Sequence, residues 1–456
     1  MARPPHHRRR RTPRTSPPSD ENLDPTPIDR PVFAQPEPTA DPTRFRLRHP
    51  SDAAAYKTID ELNAEHKLGP MPFPAPRGGT EPVLTLAQVL GPSGDEAVKR
   101  IEASGQLVFH AVGDTGSTRG PHNQSLVADK MAADFDEEAT ENLPQFFFHL
   151  GDVIYNFGEA QYYYDQFYEP YRDYPAPILA LAGNHDGMVA PGTNASTLAA
   201  FLDNFCATDF VVTPEAGGLS RTAQIQPGVF FTFEAPLLRI IALYSNVLED
   251  PGVIASPEIG NAQLDFLKAA LSRAKEFSGA LILAHHHPAY TVGSKHGWSE
   301  EMRGQIDEIC AETGVWPHAV LSAHAHNYQR FTRVHQAMQI PYVLAGNGGH
   351  NISRLKRIPD AGGPPLAAAN AEKTKGTSRY ETPFRAPTVL QAASGGNDLV
   401  RLENYDDQDY GYLRIVVTET QLRIEYHPAS DGDAAKTPDD AVTVDLASRT
   451  LAVPEV

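Results

Sequence analysis

The sequence predicts an α/β fold over residues 106–456. Three observations predict it. Short apolar runs recur, each the length of a strand buried on both faces. The stretches between several of them carry helical spacing. Each run ends in Gly and polar residues able to hold a metal, and open α/β sheets place their sites beyond the carboxyl ends of strands.

The elements follow in order. Residues 1–50 hold twelve of the 40 prolines, and residues 1–20 hold six arginines (Arg3, Arg8, Arg9, Arg10, Arg11, Arg14). Such a segment buries too little apolar surface to offset chain entropy, so a disordered Arg/Pro-rich tail is expected. The run TPRTSPPSDENLDPTP follows where a secretory or twin-Arg signal needs an apolar stretch. That favours the cytoplasm over secretion or the periplasm. Residues 51–105 read as a linker with short helices at Asp60–Lys67 and Gly94–Ala103. Pro70, Pro72, Pro74, Pro76 and Gly78-Gly79 interrupt anything longer.

From residue 106 the strands begin. Gln106–Val112 ends at Gly113-Asp114, and Gln145–Leu150 at Gly151-Asp152. Pro177–Ala182 ends at Gly183-Asn184-His185-Asp186. Ala280–Ala284 ends at His285-His286-His287-Pro288, and Ala319–Ala323 at His324-Ala325-His326. Ser125–Glu138 and Asn261–Glu276 carry the clearest helical patterns. A loop rich in Ala, Pro, Gly and Lys is expected at 359–387, and closing strands at 410–456. One Asp after one strand is commonly a helix cap. Five consecutive strand ends bearing Asp, Asp, Asn, His and His-x-His form a site.

Composition narrows what that site can do. The 456 residues carry 57 Asp+Glu against 39 Lys+Arg, a formal net charge of −18. Outside the first 20 residues the balance is more acidic still, which excludes nucleic acid as the main partner, because phosphate-backbone binding needs clustered Lys and Arg. No apolar stretch approaches ~18 residues, so no membrane-spanning helix is expected. Cys206 and Cys310 are the only cysteines, too few for a disulfide framework or a Cys-based zinc site.

The ordered set Gly113-Asp114-Thr115-Gly116, Gly151-Asp152-Val153-Ile154-Tyr155, Gly183-Asn184-His185-Asp186, His286-His287-Pro288 and His324-Ala325-His326 resembles the calcineurin-like metallophosphoesterases. Within that superfamily it looks most like the purple acid phosphatases. The resemblance spans 106–350, with a family-like end at Tyr410–Tyr426. It implies a four-layer α/β/β/α sandwich of two mixed sheets, and two metal ions per chain.

Most members of the superfamily open with Asp-x-His, and here Gly116 takes the His position. The first metal is left with Asp114, the shared Asp152 and His326. The resemblance makes Tyr155 the replacement ligand and Fe(III) the ion, in keeping with hard oxygen donors. The alternative is that Tyr155 merely packs in an aromatic region. The second metal takes Asp152, Asn184, His286 and His324, a set suited to Fe(II), Zn(II) or Mn(II). Family spacing selects His286 among the three adjacent histidines, with His285 and His287 supporting. His324 and His326 point to opposite sides of an extended strand end unless the chain turns there. Ala323 stands where the family has Gly.

Such a pair acidifies a bridging water, which attacks phosphorus in line. His185, beside Asn184, is placed to protonate the leaving oxygen, with Asp186 orienting its imidazole. Asn184 and His185 also contact the substrate. His296 resembles the family's phosphate-binding His, against the alternative of an exposed loop residue, and Lys295 is a weaker candidate. Tyr328 and Arg330 read as structural, His110 as a core residue and His350 as a surface one. Asn246 replaces an Asp of the family pattern. The expected activity is hydrolysis of small phosphate monoesters. The alternatives are a phosphodiesterase on nucleotides or phospholipid headgroups, and a non-catalytic metal- or phosphate-binding protein.

Overall fold

The computed structural model describes residues 61, 68–136, 139–190, 193–355, 389–391, 398–429 and 437–452. The expected tail at 1–50, all of Asp60–Lys67 except Glu61, and the loop at 359–387 lie outside the described residues.

Among the described residues two mixed sheets carry the fold. The first has nine strands in the spatial order β1 (Val83–Thr85), β5 (Phe231–Ala235), β6 (Leu238–Leu243), β7 (Ala280–His285), β8 (Ala319–Ser322), β10 (Met338–Ala345), β9 (Tyr328–His335), β12 (Leu399–Asp406) and β11 (Val389–Gln391). Within it β6, β7, β8 and β10 run parallel, and β5, β9 and β12 pair antiparallel with neighbours. The second sheet has seven strands. Parallel β2 (Gln106–Val112), β3 (Pro144–His149) and β4 (Ile178–Ala180) occupy one end. Antiparallel β13 (Gly411–Thr418), β14 (Gln421–Pro428), β15 (Asp440–Asp445) and β16 (Thr450–Leu451) extend the free side of β2.

The period-two pattern sorts side chains between layers. Leu107, Phe109 and Ala111 of β2 and Phe146 and Phe148 of β3 enter one core with Leu238, Ile240 and Ala242 of β6 and Ala280, Ile282 and Ala284 of β7. The rings of Phe146 and Phe233 meet across the sheets, 4.8 Å between centroids. Intervening residues face outward under helices. Ile241, Leu243, Leu281 and Leu283 pack with Phe266, Leu267, Ala270 and Leu271 of the helix Ala262–Ala274 and with Met302, Ile306 and Cys310 of Glu300–Thr313. On the other outer face Val112 and Phe147 join Val127, Ala128 and Met131 of the helix His122–Ala133. Each fully buried side chain of this kind contributes about 1.5–3 kcal/mol. The result is the expected α/β/β/α layering.

The stretch expected to be a linker departs from that expectation. Val83–Thr85 pairs parallel with β5, Val83 opposite Thr232. Leu84, Leu86, Val89 and Ile101 enter the core between the sheets. Phe73 packs edge-on against Phe230 and Tyr244. Pro and Gly interruptions hid these contacts, because they read as breaks although the apolar residues between them have partners far along the chain. Among the described residues no helix is long and apolar enough to cross a membrane.

Candidate metal centre

β2, β3 and β4 in one sheet and β7 and β8 in the other end at the same edge, and their carboxyl ends deliver the polar side chains there. The chain turns sharply as it leaves them. Asp114, Asp152, His324 and His326 all adopt left-handed backbone, with φ of 54°, 56°, 69° and 51°. This conformation costs a non-Gly residue about 1–2 kcal/mol, and such strain clusters at functional sites. The turns supply what two histidines spaced two apart require to face one place. Ala323 costs nothing here, because His324 and His326 themselves make the turn. Its methyl group occupies space that a side chain on Gly113 would need.

The Asp152 carboxylate sits at the centre. Its Oδ2 is 3.2 Å from His286 Nε2 and 2.9 Å from the Tyr155 hydroxyl. Asp114 Oδ1 is 2.9 Å from the same hydroxyl and 3.4 Å from His326 Nε2. Asn184 Oδ1 lies 3.1 Å from both His286 Nε2 and His324 Nδ1. Two buried groups result, Asp114–Asp152–His326 and Asp152–His286–His324, sharing Asp152. Each group has ligand atoms within 4.8 Å of one another. His286 Nδ1–H donates to the Leu150 carbonyl at 2.8 Å, which leaves its Nε2 lone pair facing Asp152. His326 Nδ1 is held by Asn351 Oδ1 at 2.7 Å.

The donor set fits cations. Asp114, Asp152, Tyr155, Asn184 and His286 have no solvent exposure. Buried carboxylates need paired positive charge. Burial pushes the Asp152 carboxyl up, but the surrounding His286, His185 and His324 outweigh this and hold it well below the usual range. Burial, then the Asp114 and Asp152 carboxylates, push the Tyr155 phenol well above its ordinary value. A cation between them would keep Asp152 ionised and draw the Tyr155 phenol down. Glycines leave room for the cluster: side chains on Gly183 and Gly346 would collide with the carboxylates of Asp152 and Asp114, and one on Gly151 with His286.

Gly116, where most of the superfamily has His, admits no side chain at all. A Cβ there would collide with the Val153 carbonyl and the Gln166 side chain. Gln166 in turn holds Tyr155, accepting its amide at 2.9 Å and donating to its carbonyl at 2.9 Å. The Tyr155 ring stacks on His350 at 3.6 Å and lies 4.3 Å from His185. His350 is therefore half-buried against the site rather than free at the surface, contrary to expectation. Its Nδ1–H donates to the Gly116 carbonyl at 3.0 Å, and its role is to wall the Tyr155 ring.

Asp186 does not orient His185. Its carboxylate accepts the amides of Val153, Ile154 and Gly183 at 2.8–3.2 Å, tying the strand end that bears Asn184 to the turn that bears Asp152. The His185 imidazole is held instead by the Asn156 carbonyl, which accepts from Nδ1–H at 2.8 Å. Its Nε2 faces Glu249 at 3.8 Å. Spacing alone suggested the neighbour Asp186, but a residue one step along a helical turn points elsewhere.

His296 is buried beside His324 and His326, with ring centroids 4.3 and 5.2 Å away, so the exposed-loop alternative falls. Burial, then His326 and Lys295, push its imidazole down to about 2, which leaves it neutral. Lys295 itself is exposed. His287 is structural, bonded to Ser245 Oγ and the Leu248 carbonyl at 2.7 Å, and His285 Nδ1–H donates to the His287 carbonyl. His110 lies in the core on Tyr174 and Asp134. Asn246 pairs with the Met71 backbone in both directions, anchoring the segment before β1. Glu249 and Asp250 went unread in the sequence. They follow β6, a sixth apolar run ending at the same edge, and the strand-end rule applied there would have found them.

Residues 107–328 match the family model of the calcineurin-like phosphoesterases. No curated protein matches the chain. Among solved structures it is similar to GAP50, the anchor in the inner membrane complex of Plasmodium, at 13% identity over 72% of this chain and 86% of that one, TM-score 0.45. It is also similar to PhoD, at 13% identity over 76% and 71%, TM-score 0.42. A dimetal phosphatase from Danio rerio matches at 10% identity over 75% and 99%, TM-score 0.39.

Proposed function

We propose that this chain, a calcineurin-like phosphoesterase over residues 107–328, is a dinuclear phosphatase of the purple acid type that hydrolyses small phosphate monoesters. The observation that carries the reading is the Tyr155 hydroxyl, 2.9 Å from both Asp114 and Asp152 beside a residue 116 that cannot bear a side chain. Asp114, Asp152, Tyr155 and His326 would hold Fe(III), and Asp152, Asn184, His286 and His324 would hold Fe(II), Zn(II) or Mn(II). Two such ions supply neutralisation of phosphate charge and an acidified water as nucleophile.

The chain's own residues do the rest. Asp152 would serve both ion sites: its Oδ2 faces Tyr155 at 2.9 Å and His286 at 3.2 Å, while its Oδ1 accepts the His185 amide, which fixes the carboxylate. The Asn156 carbonyl fixes the proton of His185 on Nδ1, so that Nε2 can carry the proton given to the leaving oxygen. Asn184 Nδ2 is buried without a partner among the described residues and can donate to a phosphate oxygen. His296 offers a second donor. Asp186 acts at one remove, by holding the turn from Gly183 and the turn from Asp152 together.

The test is metal analysis of purified protein with a nitrophenyl ester panel. Two metals per chain, a visible phenolate-to-iron band and faster cleavage of the monoester than the bis-ester support the reading. No bound metal after growth with iron and zinc would sink it, and preference for the bis-ester would make the protein a diesterase.

A further inference from the structure

Beside the pair, a third group of ligand-type side chains converges. Asp250 Oδ2 lies 3.5 Å from His296 Nδ1, and Asp250 Oδ1 lies 3.5 Å from His324 Nε2. One ligand atom from each of the three residues falls within 4.8 Å of the others. We propose that Asp250, His296 and His324 form a third cation site, for a divalent transition ion such as Zn(II), adjoining the dinuclear pair. The inference rests on the dinuclear reading, because His324 serves both: its Nδ1 faces Asn184 and its Nε2 faces Asp250.

Three observations carry it. Both ring nitrogens of His296 and Nε2 of His324 are buried with no hydrogen-bond partner among the described residues. A buried polar group left unsatisfied is destabilising, and here three fall in one place. The two 3.5 Å separations are long for hydrogen bonds and end on different oxygens of Asp250, so the carboxylate turns one oxygen to each histidine, and the three residues' ligand atoms lie within 4.8 Å of one another. The chemistry also fits. Two imidazoles and one carboxylate are a zinc set that leaves one position open, and the Asp250 side chain is 29% exposed, which provides entry.

The supporting bonds fix the group. Gly297 N–H donates to Asp250 Oδ1 at 3.0 Å, Ser299 Oγ–H to the Gly252 carbonyl at 2.6 Å, and His287 Nε2–H to the Leu248 carbonyl at 2.7 Å. The loop after β6 and the loop bearing His296 are thus joined without any cation. His324 would bridge two ions as an imidazolate, its Nε2 proton leaving to solvent, since ligands must be deprotonated to bind. The second nitrogen of His296 stays available as a donor to phosphate.

The experiment is Zn(II) loading of the metal-stripped full chain, counted by elemental analysis after gel filtration and by calorimetry. The wild type is expected to bind three equivalents, the third weakest. Asp250→Asn, which keeps an oxygen for Gly297 N–H, is expected to bind two. A wild-type count of two, or three equivalents retained by Asp250→Asn, overturns the third site and leaves the pair standing. A count below two overturns the pair and this inference with it.

Discussion

The hydroxyl oxygen of Tyr155 lies 2.9 Å from a carboxylate oxygen of Asp114, across the ends of two parallel strands. Because the neighbouring phenol and both carboxylates are buried, the proton on Tyr155 stays until a cation replaces it. Iron loading is therefore expected to release a proton from Tyr155 and to generate a visible band. In Tyr155→Phe the band and that proton should both be missing, read by absorption and by a pH indicator during loading. A band that survives the substitution removes Tyr155 from the ligand set.

Gly116→Ala tests the same corner from the other side. Its Cβ would collide with the Val153 carbonyl and the Gln166 side chain, and overpacking of this kind costs about 1–3 kcal/mol. Displacing Gln166 also releases the Tyr155 backbone. The variant should unfold at lower urea concentration and bind metal more weakly, whereas Gly304→Ala, which meets no neighbour within 4 Å among the described residues, should do neither.

His185 and Asp186 are adjacent, but their substitutions should separate. His185→Ala removes a proton donor and leaves the ligands in place, so kcat should fall about 100- to 10,000-fold at unchanged metal content. Asp186→Asn loses a carboxylate that holds three backbone amides. It should lower metal retention and thermal stability as well as activity. Equal metal content in the two variants would contradict this division of roles.

Asp440 joins the two sheets. Its carboxylate accepts the Tyr328 hydroxyl at 2.7 Å and Arg330 Nε and Nη2 at 2.6 and 2.9 Å, from β9 in one sheet to β15 in the other. Asp440→Ala strands a nearly buried guanidinium, a change that costs about 3–5 kcal/mol. Denaturant unfolding should show that loss, and Tyr328→Phe should show a smaller one.

Asp165 gives stability an unusual pH slope. Burial pushes its carboxyl from 3.8 up to about 7, against a small opposing backbone hydrogen bond. Between those values the folded chain holds a proton that the unfolded chain has released. Stability contributed by this group is therefore full below pH 3.8 and falls as pH rises towards 7, at up to roughly 1.4 kcal/mol per pH unit. The difference in unfolding free energy between the wild type and Asp165→Asn should shift towards the variant by that amount per unit from pH 5 to pH 7. A difference that stays flat would show the carboxyl ionised in the fold.

The strand ends that carry the candidate metal ligands were legible because they are local. An apolar run such as Ala280–Ala284 and the His286 that follows it lie within a few residues of one another, and burial on both faces writes itself as a continuous apolar stretch. Gly116 likewise announced a missing side chain. The roles played at a distance were not legible. Asp186 stands next to His185 in the chain yet spends its oxygens on Val153 and Ile154. Asp250 reaches His296 and His324 only because β6 and β7 end side by side. Val83–Thr85 is a strand because Phe231–Ala235 offers it an edge. Residue type and spacing determined which side chains could bind metal. Which of them meet, and which instead hold the backbone, was decided by pairing across long sequence separations, where packing and hydrogen-bond satisfaction select the partner.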